Sequence, residues 1–425
     1  MRGVVGIWLI ATNVNVKGFD MTETRTVASS AKGSIQIVIG PNGFGKTTYL
    51  DNKKKTLEGS GESVFFVPSE IKLLDEVKDT VDTSQTMEFL LTELIETPDY
   101  ISKRQALFDE ADAIIARNVS VMNVILDDIL KLNGSTRGKD FIAPNSKRTI
   151  KNLISINQDD VKKKMGSGQR MQLLLKLAVS SNRRNIFLDE PEKYSHPSLL
   201  NGTAMAVNEI VASGKNVYIA THSPKLISMM DVDYSDIKVI NDATHAPKSI
   251  PFKEAVERGS KHFNLGSMEK KFRRYYDSDV SLRESIERRH GRQFIEALFS
   301  KRVYLCEGAN DELLINEALR QYGGYYDDYC VFKTWGKTNI PVFAYLFNLL
   351  GVNVVALYDK DDESKSVHKE ANGAIRALPS DIARVEMDPC LEKLVSYVGV
   401  KSDALAFMDH LESTTLDPMF DLASL

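Results

Sequence analysis

Short apolar runs alternate with longer helical patterns along the first 250 residues. Four runs, each bounded by Gly, Asn or an acid, predict strands: GVVGIWLI, GSIQIVIG, NIFLDE and NVYIATHS. Continuous apolar runs of this kind are typical of strands buried on both faces of a parallel sheet. Between about 75 and 135 the periodicity becomes helical, in TMEFLLTELIET and SVMNVILDDILKL, before a polar stretch that predicts a loop.

A second pattern of strands and helices begins near residue 301. It runs strand RVYLCEG, helix DELLINEALRQYG, strand DYCVFKTW, helix IPVFAYLFNLLG and strand VNVVALYDKD, which predicts a compact βαβαβ unit. Residues 253–302 between the two patterns contain thirteen Lys and Arg against eight Asp and Glu. We therefore predict an α/β domain at 1–252 with an insertion at about 70–160, a basic helical linker at 253–298, and a second α/β domain at 299–425.

Composition changes this picture little. The chain has 425 residues, of which 43% are apolar and 26% charged, as in ordinary soluble proteins. The spacing of Cys306, Cys330 and Cys390 fits neither a zinc site nor a disulfide framework, so reduced thiols are expected. No apolar stretch approaches the roughly 20 residues of a membrane span, and the N-terminal run is better explained as a strand than as a signal peptide. We expect a cytoplasmic protein.

The segment GPNGFGKT, residues 40–47, follows the strand SIQIVI and matches the phosphate-binding loop pattern G-x-x-x-x-G-K-[ST]. Its glycines let backbone N–H groups surround a phosphate, and the helix that follows adds its positive N-terminus. Lys46 can reach the β- and γ-phosphates of ATP, and Thr47 can bind Mg²⁺. The alternative is a simple Gly-rich turn. The candidate nucleotide-binding residues of this loop are Asn42, Gly43, Gly45, Lys46, Thr47 and Thr48.

Three further segments add to the loop. The strand IFLDEP ends in Asp189, placed to hold Mg²⁺ through water, and Glu190, placed to polarise the attacking water. Upstream, GSGQR precedes the helix MQLLLKLAVSS, and downstream THS, with His222, follows the strand NVYIA. A lone histidine is usually structural, but one that follows a strand after such an acid pair favours function.

Together these segments resemble the ATP-binding-cassette (ABC) ATPases, particularly the branch with SMC and RecF-like proteins. The resemblance implies that Ser167, Gly168 and Gln169 form the signature motif, which contacts ATP held by another subunit. It also implies that 192–199 is the D-loop and His222 the switch histidine. ATP would then be sandwiched in a homodimer or higher homo-oligomer. Gln85 is one option for the glutamine that couples nucleotide to the inserted lobe.

The second domain places acids at the ends of its strands. Glu307 ends RVYLC, Asp311 lies one helical turn further on, and the strand VNVVALY leads into Asp359 and Asp361, whose period-two spacing points both to one side. The carboxyl ends of parallel strands share a crevice, where converging carboxylates repel one another unless cations neutralise them. The cluster therefore suits Mg²⁺ or Mn²⁺. For Asp359 and Asp361 the alternative is an ordinary strand capped by polar residues. Asp362 and Glu363 are interpreted as solvated turn residues.

This arrangement resembles the Toprim domain. The segment WGKTNIP followed by VFAYLFNLLGVNVVALYDKDDE is similar to the OLD (overcoming lysogenization defect) family, which joins an ABC-type ATPase to a C-terminal Toprim nuclease. The resemblance implies ATP, Mg²⁺ or Mn²⁺ as cofactors, DNA as substrate and a role in bacterial anti-phage defence, with a protein or nucleic-acid partner left open. It also adds Glu392 as a metal ligand and Lys401 as a catalytic lysine. A solvated helix acid and a surface lysine are the alternatives for these two.

We therefore interpret the chain as a metal-dependent DNA endonuclease regulated by an ATPase. Glu190, His222, Glu307, Asp359, Asp361 and Lys401 are the candidate catalytic residues. Aromatic and basic side chains interleave in KKFRRYY, residues 270–276, which suits phosphate contacts with base stacking, although a solvated helix with its rings in the core explains the pattern equally. Two rival functions are a RecF-like DNA clamp that does not cut and a topoisomerase-like enzyme with a nucleophilic tyrosine.

Overall fold

Two separate parallel sheets organise the part of the chain that the computed structural model describes. The described residues are 32–41, 43–69, 108–132, 155–156, 159–160, 167–193, 197–241, 246–266, 268–323 and 328–422. The predicted strand GVVGIWLI, the helix TMEFLLTELIET, the polar segment after residue 132, Asn42 and Gln85 lie outside these ranges. Helices and strands are numbered along the described residues.

Twelve strands occur in the described ranges. They are β1 (Ile35–Ile39), β2 (Val64–Val67), β3 (Ser155–Ile156), β4 (Asp159–Asp160), β5 (Asn185–Asp189), β6 (Asn216–Ala220), β7 (Ile237–Val239), β8 (Lys248–Ser249), β9 (Arg302–Cys306), β10 (Tyr329–Lys333), β11 (Asn353–Asp359) and β12 (Ala383–Met387).

The α-helices of the same ranges number fourteen. They are α1 (Lys46–Gly59), α2 (Phe108–Leu132), α3 (Ser167–Ser180), α4 (Pro197–Ala212), α5 (Pro224–Met229), α6 (Phe252–Gly259), α7 (Lys270–Arg273), α8 (Asp279–Arg289), α9 (Gly291–Phe299), α10 (Ala309–Tyr322), α11 (Ile340–Leu349), α12 (Ser366–Arg376), α13 (Leu391–Leu394) and α14 (Ala404–Glu412). None of these described helices is long and apolar enough to cross a membrane.

The first sheet has the strand order β2-β5-β6-β1-β7-β8. All of its neighbouring pairs are parallel except β7 with β8. The central strands are almost wholly apolar, as the continuous runs predict: Ile37, Ile186 and Ile219 are fully buried. The register pairs Asp189 of β5 with Ala220 of β6, so the residues that follow these two strands lie side by side.

The second sheet has the order β10-β9-β11-β12, and all of its strands are parallel. Its first three strands, with α10 and α11 between them, form the predicted βαβαβ unit. Because β9 and β11 are neighbours, Glu307 and Asp359 lie at the same edge of the sheet. The α/β fold class is therefore confirmed in both halves, and β12 adds a strand beyond the predicted unit.

The segment between the sheets is part of the core. One continuous apolar cluster runs from Ile37 of β1 through Leu282, Phe294 and Phe343 to Val354 of β11. A second cluster, including Leu314 and Phe407, covers the other face of the second sheet. The basic segment thus exposes its charges while burying its apolar side chains. Of the two alternatives for 270–276, the one with its rings in the core holds for Tyr275 and Tyr276, which are 0% and 3% exposed and cannot stack on bases.

Candidate ATP and metal sites

The loop between β1 and α1 has the backbone that phosphate binding requires. Gly43 and Gly45 have φ of 84° and 86°, in the left-handed region that favours glycine. A Cβ on Gly40 would lie 2.0 Å from the Ile240 carbonyl oxygen, so that residue must also be glycine. Lys46 is buried, and its Nζ donates to the carbonyl oxygens of Gly40 and Pro41, both at 2.9 Å. Burial lowers the pKa of this ammonium.

The acids at the end of β5 meet the loop as predicted. Thr47 Oγ1 donates to Asp189, at 3.2 Å from Oδ1. Burial, and then the charge of Glu190, raise the pKa of Asp189 to about 6. Thr48 is exposed in the first turn of α1. The pair Thr47 and Asp189 is the arrangement expected for Mg²⁺ bound beside the β- and γ-phosphates.

Glu190 and His222 also come together. Glu190 has a left-handed backbone, with φ of 47°, and its N–H donates to the Ala220 carbonyl oxygen at 2.8 Å. Its Oε1 lies 2.8 Å from His222 Nε2, and its Oε2 lies 3.8 Å from Lys193 Nζ. Burial lowers the pKa of His222. A carboxylate and an imidazole in contact beside a phosphate-binding loop can position a water molecule for attack.

Glu192 is a residue of this site whose role the sequence did not indicate. Its Oε1 accepts two hydrogen bonds of 2.7 Å, from Thr221 Oγ1 and from the backbone N–H of His222. Burial raises the pKa of Glu192, and its Oε2 is buried without a hydrogen-bond partner. Glu192 therefore fixes the segment that carries His222, and only its place two residues after Glu190 hinted at this.

The signature segment opens α3. Ser167 is the first residue of the helix, Gly168 is buried and Gln169 is half-buried. Backbone N–H groups at a helix N-terminus suit phosphate contact, as the resemblance to ABC ATPases requires.

At the edge of the second sheet, three carboxylates are each held by a backbone N–H. Glu307 Oε1 accepts from the Asp359 N–H at 3.1 Å, Asp311 Oδ2 from the Gly308 N–H at 2.8 Å, and Asp359 Oδ1 from the Leu391 N–H at 2.8 Å. Within the described ranges, none of the three forms an ion pair with a side chain.

The same three carboxylates influence one another. Burial, and then the charge of Asp311, raise the pKa of Glu307 to about 8. Burial raises the pKa of Asp311 to about 7, with contributions from the charges of Asp359 and Glu392. The pKa of Asp359 is raised to about 6, again by burial and then by the charges of Asp361 and Glu392. These acids are therefore close enough to repel one another when ionised.

Asp361 lies after the end of β11 and not in the strand itself, contrary to what its spacing predicts. Strand β11 ends at Asp359, and Asp361 has a left-handed φ of 55°, so the period-two argument for its direction is wrong. Asp361 Oδ2 accepts from Lys337 Nζ at 2.7 Å and lies 3.3 Å from His368 Nδ1. Asp362 is exposed, and Glu363 lies in a turn, where its side chain is 32% exposed and pairs with Arg376 at 2.7 Å.

Glu392 and Lys401 form a pair of their own. Lys401 Nζ lies 2.7 Å from Glu392 Oε2, and the lysine side chain is 69% exposed against 11% for the glutamate. This ion pair raises the pKa of Lys401. Although Glu392 is near enough to raise the pKa of Asp311, the side chains of the described residues include no group of three His, Cys, Asp or Glu already arranged to hold a metal ion.

Lys337 is the residue of this site that sequence reasoning missed. It is 5% exposed, and its Nζ donates to the Asp359 carbonyl oxygen at 2.6 Å as well as to Asp361. A usable signal was present, because Lys337 lies in WGKTNIP directly after β10, at the carboxyl edge of the same sheet.

Comparisons with known proteins find similarity over parts of the chain. Residues 298–361 match the family model of the overcoming lysogenization defect protein-like TOPRIM domain. A curated relative, the Old nuclease of Escherichia phage P2, is 24% identical over 217 residues, which is 50% of this chain and 32% of the relative. The chain thus spans about a third of the length of that relative.

Solved structures of ATP-binding cassettes also match, at low similarity. A nucleotide-free ATP-binding cassette from an ABC transporter is 18% identical, covers 50% of this chain and 78% of its own, and gives a TM-score of 0.29. A dimeric cassette bound to ADP and Pi is 13% identical. The match covers 52% of this chain and 86% of the cassette chain, with a TM-score of 0.30. Because these TM-scores are low, the ABC-type fold of the first domain is inferred from the phosphate-binding loop, the strand ends and the sheet order described above.

The fold and the two sites define an ABC-type ATPase domain followed by a Toprim domain. The Toprim part is similar to the OLD-like Toprim model over residues 298–361, and half of the chain is similar to the Old nuclease of Escherichia phage P2.

Proposed function

We propose that the protein is an ATP-regulated, metal-dependent DNA endonuclease. The observation that carries the proposal is the set Glu307, Asp311 and Asp359, three carboxylates at one sheet edge that accept from backbone N–H groups, raise one another's pKa and form no ion pair within the described ranges. Such a cluster is stabilised by hard divalent cations with oxygen ligands, of which Mg²⁺ and Mn²⁺ are suited to phosphodiester chemistry. The nuclease name of the phage P2 relative supports the same reading.

The chemistry of the donor set suits two such ions once the side chains move together, since the described residues hold no group of three already arranged around one ion. Glu307, Asp311, Asp359 and Asp361 would hold them, and Glu392 would join the set if its pair with Lys401 opened. When bound, the ions supply an activated water and stabilise the leaving oxygen of an in-line displacement. Lys401 would then stand beside the substrate phosphate and offset its developing charge. Lys337 keeps Asp359 and Asp361 in place from the buried side.

The ATPase domain, for which we propose the limits 1–252, would regulate this site. Lys46 and the loop glycines bind the phosphates, Thr47 and Asp189 hold Mg²⁺, and Glu190 with His222 orients the attacking water. The signature residues Ser167 to Gln169 would complete the site of a second copy, so ATP would join two chains. The shared apolar core between 253–298 and both sheets would carry the change of dimer geometry to the Toprim domain, proposed at 299–425.

A plasmid-cleavage assay tests the nuclease activity. With Mg²⁺ or Mn²⁺, we expect Asp359→Asn to reduce cleavage at least about 100-fold, because it removes an ionised ligand at the centre of the cluster. Asp362→Asn is the matched control, since Asp362 lies three residues further on, is exposed and should leave cleavage unchanged. Cleavage by neither wild type nor Asp359→Asn would favour the DNA clamp, and a covalent protein–DNA adduct would favour the topoisomerase.

The biological setting follows from the family. We propose a cytoplasmic role in bacterial anti-phage defence, with DNA as substrate and a defence-system protein or nucleic acid as a further partner. The similarity of residues 298–361 to the OLD-like Toprim model supports this role. Loss of plaque protection in cells that carry Asp359→Asn, but not in cells that carry Asp362→Asn, is the expected result.

A further inference from the structure

Trp335 is an exposed aromatic residue in an unusual backbone conformation. Its side chain is 55% exposed, its φ is 58°, and Gly336 after it has φ of 124°. Bulky residues rarely adopt positive φ, and such outliers concentrate at functional positions. Among the described residues, the other non-glycine residues with positive φ are Glu190, Asp361 and Ser396, of which the first two belong to the proposed sites.

The loop that presents Trp335 is built from buried hydrogen bonds. Thr334 is fully buried, and its Oγ1 donates to the Cys306 carbonyl oxygen at 2.9 Å. Asn339, also fully buried, donates from Nδ2 to the carbonyl oxygens of Thr334 at 2.8 Å and Trp335 at 3.3 Å. These contacts fix both sides of the residue, so the fold itself holds the indole ring toward solvent.

Trp335 stands between the carboxylate edge and the basic segment. Two residues after it, Lys337 binds Asp361. On the other side, the Phe272 ring of α7 lies against Gly336, where an added Cβ would be 3.3 Å from Cε1. Tyr276 Oη also donates to the Thr338 carbonyl oxygen, which ties the basic segment to the same loop. Lys270 and Arg274, on the same short helix and its C-cap, are exposed cations of the segment that contacts this loop.

We propose that Trp335 is a stacking platform for an unpaired base of single-stranded DNA beside the Toprim crevice, with Lys270 and Arg274 holding the adjacent backbone phosphates. This inference rests on the proposed nuclease function and specifies how its substrate is held. An acidic crevice repels nucleic acid, so a substrate needs cations and a base-binding surface next to it. The basic segment supplies the cations, but its two tyrosines are buried, which leaves Trp335 as the exposed ring at this position.

Intrinsic fluorescence offers a direct test because the chain has only two tryptophans, Trp8 and Trp335. In a Trp8→Phe parent, Trp335 is the sole indole. Titration with a single-stranded oligonucleotide in EDTA should quench its emission, whereas a blunt duplex of the same sequence should quench it much less. In the same parent, mutation of Lys270 and Arg274 to Gln should weaken binding and flatten its salt dependence.

Three substitutions of Trp335 separate the effect of its ring on DNA binding from the effect of its backbone conformation. Trp335→Leu should weaken single-strand binding about 5- to 100-fold, the range for one stacked base, and Trp335→Phe should retain most of it. Trp335→Asn accepts the left-handed backbone without a ring and should bind as weakly as Trp335→Leu. Binding by these variants is measured by anisotropy of a labelled oligonucleotide. Leu405→Ala, at another exposed apolar position, is the control and should bind normally.

The outcomes distinguish the two proposals. If the parent cleaves plasmid with Mn²⁺ but its emission does not respond to DNA, and Trp335→Leu binds normally, the stacking proposal is wrong and the nuclease stands. Quenching by duplex alone, or by a protein and no nucleic acid, also overturns it. If the parent neither binds nor cleaves nucleic acid, both proposals fail together.

Discussion

The two sheet edges place acids in similar positions but neutralise them differently. At the ATP edge, Glu190 contacts His222 and Lys193, and Asp189 accepts from Thr47. At the Toprim edge, Glu307 and Asp359 accept hydrogen bonds only from backbone N–H groups among the described residues. Lys337 forms an ion pair with Asp361 instead. The ATP edge therefore pairs Glu190 with basic side chains and leaves Asp189 with a hydroxyl donor, whereas at the Toprim edge Glu307 and Asp359 have no ion-pair partner among the described residues. Three experiments test this difference.

The largest effect is expected at the ATP edge. Glu190→Gln should lower ATP turnover by about 100- to 10,000-fold, the range for loss of a general base, while ATP binding persists. Because ATP is bound but not hydrolysed, the variant should accumulate as a dimer in ATP and Mg²⁺, measured by light scattering. Mn²⁺ binding at the Toprim edge, followed by calorimetry without nucleotide, should be unchanged. A variant that hydrolyses ATP normally would contradict the assigned role of Glu190.

The second experiment removes the internal cation of the Toprim edge. Lys337→Met should lower the free energy of unfolding without metal by about 2 kcal/mol, because it leaves Asp361 and the Asp359 carbonyl oxygen without their donor. The figure is below that of a fully buried pair since Asp361 is 33% exposed. Urea denaturation measures it, and Mn²⁺ should restore more stability to the variant than to the wild type.

The neighbouring pair of Lys360 and Asp388 provides the control. The atoms of the pair are 2.6 Å apart, but the side chains are 33% and 62% exposed against 5% and 33% for Lys337 and Asp361, so Lys360→Met should change the unfolding midpoint less. Addition of Asp361→Asn to Lys337→Met should recover part of the loss, because the unpaired charge is then gone. Equal destabilisation by Lys337→Met and Lys360→Met would show that Lys337 is an ordinary surface lysine.

The contrast between the edges could be predicted only in part. Strand ends and the phosphate-loop pattern located Glu190, Glu307 and Asp359, because parallel strands bring their carboxyl ends to one edge. The turn at Asp361 and the partner of Lys337 depend on contacts 24 residues apart in sequence, which no local pattern encodes. The pattern in 270–276 likewise predicted a basic segment, but it did not show whether the two tyrosines are buried or exposed.

The smallest effect concerns pH. The pKa of Glu307 is about 8 in the folded protein against 4.5 for the free group, so the folded state binds more protons than the unfolded state between these values. Metal-free stability should therefore fall as pH rises from about 4.5 to 8. Glu307→Gln, which cannot ionise, should flatten that part of the stability profile measured by thermal unfolding from pH 5 to 8.

Asp362→Asn is the matched control for this profile, since Asp362 is exposed and the hydrogen bond from Ser364 lowers its pKa, so it does not titrate in this range. It should leave the slope between pH 5 and 8 nearly as in the wild type. Saturating Mn²⁺ should also reduce the wild-type slope, because bound cations favour the ionised carboxylates that protons otherwise neutralise. A metal-free profile that rises over this range, or one that Glu307→Gln leaves unchanged, would mean that Glu307 is ionised without a cation and that the two edges do not differ.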